Sequence, residues 1–144
     1  MTQVKRGAVG LLGAVLMVGT TLAAQDWPQF LGPARDGVYT GPALSTSWPA
    51  DGPTVLWERE VGAGFAGPVV VGNRLVLFHR LGGDEVVEGI NIANGATVWT
   101  HRYPTTYRDD FGFDEGPRSV PVVDDGVVYT FGAQGQLHAV DLTT

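Results

Sequence analysis

The sequence predicts an all-β fold assembled from repeated four-stranded antiparallel sheets. Three observations carry this. Short runs rich in Val, Leu, Tyr, Phe and Trp alternate with Gly, Asn and Asp turn signals from residue 54 onward. One strand–turn–strand unit recurs without a gap fifty-three residues later. After the first two dozen residues, no 3.6-residue periodicity of useful length appears.

The chain opens on a leader pattern. Met1–Arg6 is basic, Gly7–Thr21 is uncharged and rich in Val, Leu, Gly and Ala, and small residues follow at Thr21, Ala23 and Ala24 before polar Gln25-Asp26. That is the three-part form of a secretory signal, with cleavage expected after Ala23 or Ala24. An uncleaved anchor is the alternative, since Gly7–Ala24 spans 18 residues, near the lower limit for crossing a bilayer. Residues 1–24 are therefore read as a signal peptide and the protein as periplasmic or secreted, with no stable membrane insertion once the signal is removed.

Residues 25–53 are expected to form an irregular arm. Five prolines (Pro28, Pro33, Pro42, Pro49 and Pro53) and four glycines lie within Asp26–Pro53, and proline fixes φ and removes a backbone donor. Trp27, Phe30, Leu31, Tyr39 and Trp48 are too many large apolar side chains for a disordered linker. The arm is expected to be ordered and to lie across the fold.

Residues 54–144 carry the strand runs: Thr54–Val61, Pro68–Val71, Arg74–Arg80, Glu85–Ile92, Thr97–Tyr103, Ser119–Val123, Val127–Phe131 and Gln136–Leu142. Gly72-Asn73, Gly82-Gly83, Asn94-Gly95, Asp125-Gly126 and Gln134-Gly135 fall between them as hairpin turns. Pro68–Phe78 lies on Pro121–Phe131, and after a small gap Val87–Ile92 lies on Leu137–Leu142. Trp57 and Trp99, 42 residues apart, close the unit as a fourth strand type. Four strands in 40–50 residues mark a β-propeller blade. The two Trp residues are expected to fill the gap between blades; in a β-sandwich they would be ordinary core residues. About two blades are present. The repeat expects another turn after Thr144, so the sequence reads as the opening of a longer, closed ring.

Charge and composition exclude several function classes. Beyond residue 24, seven arginines face fifteen carboxylates, which leaves −8. Such a surface repels phosphate backbones, and no nucleic-acid partner is expected. There is no Cys, hence no disulfide, thiolate metal site or Cys nucleophile. No P-loop, Gly-x-Ser-x-Gly or dinucleotide fingerprint occurs. Gly62–Gly67 resembles a phosphate loop but no helix follows it, so it reads as a connecting turn.

Candidate site residues concentrate in Tyr107–Arg118. This stretch holds four carboxylates, two arginines and three aromatics in 12 residues. In a propeller it crosses the top face, between the outer strand of one blade and the inner strand of the next. Asp110, Asp114, Glu115 and Arg118 are candidates for binding a ligand or partner there, and Arg118 could pair bidentately with a carboxylate. The bland alternative is a solvated loop of local salt bridges. A calcium site from Asp109, Asp110, Asp114 or Glu115 does not follow the EF-hand spacing. His79 and Arg80 end a strand close to Asp84, Glu85 and Glu88, and a His–carboxylate general-base pair is conceivable there; a locally hydrogen-bonded strand end is the commoner case. His101 and His138 sit in strand patterns with no partner spacing, no zinc motif links the three His residues, and no metal site is assigned.

The unit Pro-Val-Val-turn-Val-Tyr…Gly-x-Leu-x-Ala-x-Asp-x-x-Thr at 121–144 resembles a PQQ repeat, and Asp26–Val38 is similar to the N-terminal arm of exported PQQ-binding-like propellers. The resemblance covers residues 26–144. It implies either a non-catalytic binding or scaffold propeller, or a dehydrogenase of alcohols or sugars that holds pyrroloquinoline quinone and calcium at the axis. The sequence has neither the adjacent Cys pair of many such dehydrogenases nor a Cys for lipidation. The expectation is the first kind: an exported propeller without catalysis, binding a protein partner or small molecule on its top face. PQQ and calcium enter through the resemblance alone.

Overall fold

The computed structural model describes residues 25–144. The leader expected over residues 1–24 lies outside them. Seven strands form two antiparallel meanders. β1 (Val69–Val71), β2 (Arg74–Leu81), β3 (Asp84–Asn91) and β4 (Thr97–Pro104) make a four-stranded sheet in chain order. β5 (Val122–Asp124), β6 (Val127–Phe131) and β7 (Leu137–Asp141) make a three-stranded sheet of the same order. The described chain is all-β, and its two sheets do not close a ring. Among the described residues no helix is long and apolar enough to cross a membrane.

The repeat is carried into three dimensions residue by residue. Val70 pairs with Leu75 in the first sheet and Val123 with Val128 in the second. Asp125 (φ 45°) and Gly126 (φ 76°) turn the second hairpin in the left-handed region, where an Asp-Gly pair is favoured. At the far end of the third strand, Ile92 N–H donates to the Asn73 carbonyl and Leu142 N–H to that of Gly126. The Ile92 and Leu142 carbonyls then accept the indole N–H of Trp57 and Trp99, both at 2.8 Å.

Alternation along each strand builds the core between the sheets. Val76 and Phe78 of β2, Val87 of β3 and Trp99 of β4 point to the second sheet and meet Val123 and Val128, all buried. Leu75, Leu77 and Ile90 point the other way. With Trp57, Arg59 and Val61 they line an open recess of about 670 Å³.

The expected strand at Thr54–Val61 is not formed. The segment is extended but pairs with no strand among the described residues, and Val55, Leu56 and Val61 are exposed. Trp57 docks on the turn at Gly95 and the carbonyl of Ile92, and Arg59 reaches Glu88 and the Thr97 hydroxyl. Its apolar run is a fourth-strand run without the sheet it would edge.

Within residues 25–68 there is no strand, only two isolated bridges. Trp27 exchanges both backbone hydrogen bonds with Val70 at 2.7 and 3.0 Å, and the Pro28 carbonyl accepts the N–H of Val123. One short piece of chain thus ties the inner strands of both sheets together. Gly32, at φ 76°, lies under the Trp27 ring where a side chain would collide with it.

The central hairpins are unequal. β2 and β3 have eight residues each, β6 and β7 only five. The longer hairpin overhangs the shorter, and this positions the site.

Candidate functional site

The tips of hairpins β2–β3 and β6–β7, the end of β4 and the start of β5 lie together, here called the upper end. β4 finishes at Pro104 opposite Asp84, beside the first tip. Gln134, in the second tip, holds the outgoing chain: its Oε1 accepts the Thr105 hydroxyl and the Thr106 N–H, and its Nε2 donates to the Thr106 hydroxyl.

Alternation splits His79 from Arg80. Arg80 follows Val76 and Phe78 toward the second sheet and is only 9% exposed. Its Nε donates to the Gly82 carbonyl, and its Nη1 to the carbonyls of Tyr107 (2.8 Å) and Glu115 (2.9 Å). The Glu115 carboxylate lies 3.5 Å away and balances the charge. A guanidinium suits this place because its fixed fork reaches several acceptors at once. It clamps both ends of the connection that follows β4.

Within that connection Asp109 is the anchor. Its side chain is 3% exposed. Oδ2 accepts the N–H of Phe113 (2.6 Å) and Asp114 (3.3 Å), and Oδ1 faces Arg118 Nη2 at 3.2 Å. The Phe113 N–H, more than Arg118, holds this carboxyl below the usual carboxylate range. Asp114 accepts the Gly116 N–H at 2.6 Å, and its carbonyl takes Arg118 Nη2. Arg108 Nη1 donates to both oxygens of Glu115 at 2.6 and 2.8 Å. The Arg118 guanidinium lies 5.6 Å from the Tyr107 ring and 5.9 Å from that of Phe65.

The segment before β1 packs on the segment before β5. Phe65 and Ala66 N–H both donate to the Pro117 carbonyl. Gly116 is a glycine because a side chain there would run into the Ala63 carbonyl.

Arg80 of β2 is therefore brought together with Asp114, Glu115 and Arg118 of the connection. Asp110 stands apart, exposed and, among the described residues, without an ion pair or hydrogen bond. His79 is not part of this group. It points to the opposite face, where Nε2 faces Glu88 Oε2 at 3.2 Å and Nδ1 accepts the Gly62 N–H at 2.8 Å. Arg59 Nη2 (2.8 Å) and the Thr97 hydroxyl also donate to Glu88. Burial, with Arg59 adding to it, pushes the His79 pKa down against the pull of Glu88. The His–carboxylate pair exists, but both ring nitrogens face protein groups and the side chain is buried. Neither is presented to a substrate.

Two histidines that sequence spacing left without partners meet across the blades. His101 Nε2 and His138 Nδ1 are 3.0 Å apart. Tyr103 stacks on His138 with ring centroids 4.1 Å apart. The Tyr103 hydroxyl donates to Glu85 Oε2 at 2.6 Å, and the Ala133 N–H donates to Oε1. Glu85 is fully buried under this roof. Burial and then the Glu85 bond push the Tyr103 pKa up, while burial and the neighbouring His101 push that of His138 down.

Among the described residues no three His, Asp or Glu side chains converge as a metal ion needs. Asp109, Asp114 and Glu115 are turned onto N–H groups and guanidinium, so this connection does not fit a calcium ion. Asp109 as an anchor was missed by spacing alone.

A family model described as outer membrane protein assembly factor BamB matches residues 32–144. No curated protein matches the chain.

Proposed function

The chain belongs to the BamB-type, PQQ-like β-propeller repeat family, and on that premise we propose that it is a binding module without catalysis of its own, which docks a protein partner on the upper end of its blades. The leader pattern and the family description support a site of action in the periplasm or outside the cell. One observation supports the docking reading above others. Buried Arg80 of β2 and the connection's own buried Asp109 hold the Tyr107–Arg118 backbone, and on that frame Phe111 and Phe113 stand out in solvent at 83% and 78% exposure. Loops fixed on a rigid sheet with exposed aromatic tips are the usual furniture of recognition surfaces.

Photocrosslinking in an exporting host tests this. A photoreactive residue at position 111 or 113 is expected to give a discrete protein adduct, and one at Gly72, on the opposite end, none. Equal adducts from both ends would sink the docking site. Separately, purified protein given PQQ and calcium is expected to lose quinone absorbance on desalting and to show no dye-linked alcohol oxidation. Retained quinone with turnover would replace this reading by a dehydrogenase.

A further inference from the structure

The charges of the upper connection are nearly all committed internally. Arg80 and Arg108 are on Glu115, Arg118 is on Asp109, and Asp114 is on the Gly116 N–H. Of the charged residues in Tyr107–Arg118, only Asp110 is exposed with no ion pair or side-chain hydrogen bond to the described residues. It adjoins Phe111 in sequence, and the rings of Phe111 and Phe113 lie 6.4 Å apart at 27°. The backbone under them is set, because Gly112 N–H returns to the Asp109 carbonyl at 3.0 Å while the Asp109 carboxylate takes the next two amides. Two phenylalanines on a set backbone lose little freedom when they are covered. Their ring faces attract cations. Beyond residue 24 the chain carries −8, which favours a basic partner and repels an anionic bilayer.

We infer that Asp110, Phe111 and Phe113 form a seat for a lysine or arginine flanked by apolar side chains on a segment of a partner protein. The cation lies over an aromatic face and is paired by Asp110, and its apolar neighbours cover the rest of the two rings. This rests on the docking reading above and names the chemistry of the partner.

The test uses the ¹⁵N-labelled chain titrated with acetyl-Val-Leu-Lys-Val-Arg-Leu-amide and with the same peptide carrying Glu at both basic positions. The basic peptide is expected to shift amides 109–114 and to bind about tenfold tighter than the acidic one. Asp110→Asn should weaken it about threefold at low salt. The double variant Phe111→Ser, Phe113→Ser should weaken it about tenfold or more, with the sheet amides unmoved because both side chains are exposed. If the acidic peptide shifts the same amides as strongly, the basic-partner inference fails and the docking reading stands. If neither peptide moves any amide from 107 to 118, both fail. Binding of phosphatidylcholine–phosphatidylglycerol vesicles through the same phenylalanines would overturn the inference in favour of a lipid surface.

Discussion

His79 accepts the backbone N–H of Gly62 through Nδ1 at 2.8 Å, which fixes the ring proton on Nε2, facing Glu88. A charged imidazolium has two donors and no acceptor, so protonation would set Nδ1–H against Gly62 N–H. Burial already lowers this pKa below 6.5, and His138 is lowered in the same direction. Both groups bind protons more readily when unfolded. Their stabilisation is therefore fully present above the unfolded value and is lost as pH falls from about 6.5 through the folded values. The urea midpoint is expected to fall on acidification from pH 7.5 to 5.5, and His79→Asn with His138→Asn should flatten that slope. A midpoint that rises over this range would contradict the assignment.

Trp99 both fills the space between the sheets and donates to Leu142. Trp99→Ala should cost about 3–5 kcal/mol through the cavity left behind. Trp99→Phe should cost about 1 kcal/mol for the lost hydrogen bond, plus a smaller packing loss. Trp57 makes the equivalent bond to Ile92 but is only half-buried, and Trp57→Ala should cost about 1–3 kcal/mol. Chemical denaturation of the three variants gives the order directly.

Arg80→Met removes the donor shared by the carbonyls of Tyr107 and Glu115. Those acceptors would be left unsatisfied at about 1–3 kcal/mol. Hydrogen exchange of amides 107–116 is expected to accelerate while that of β1–β4 changes little. Uniform acceleration would mean that Arg80 supports the whole sheet rather than the connection.

Glu85 accepts from the Tyr103 hydroxyl and the Ala133 N–H in a site closed to solvent. Tyr103→Phe should cost about 1.5–3 kcal/mol, the range for bonds to a charged group. Glu85→Gln should also destabilise, since an amide can accept from one of the two donors but turns its NH₂ toward the other. Thermal melts of the two variants check both.

The sequence made the strands, turns and repeat of residues 68–142 legible because hairpins are local: alternation and Gly, Asn or Asp at tight turns are read within about ten residues. Thr54–Val61 misled because an apolar run records what a strand is suited to edge, and here no described sheet stands beside it. The charged strand residues were less legible for another reason. Arg80 and Glu85 sit near a hairpin tip, where side chains usually meet water. They are buried because the overhanging hairpin places them against the following connection and the neighbouring tip. The meeting of His101 with His138 spans 37 residues and two sheets, and no spacing rule along one strand reports it. Within the candidate site, composition singled out Tyr107–Arg118. Which carboxylates serve its own backbone and which face solvent needed the geometry: Asp109 turned inward and Asp110 stayed out.

Unequal hairpin lengths give each module an address. Glu85 needs a short neighbour to roof, and the Tyr107–Arg118 connection needs a long predecessor carrying Arg80. Exchange of the two modules would leave a carboxylate stranded and an arm unclasped, even though each sheet alone would still pair correctly. At this joint the two similar units are no longer interchangeable.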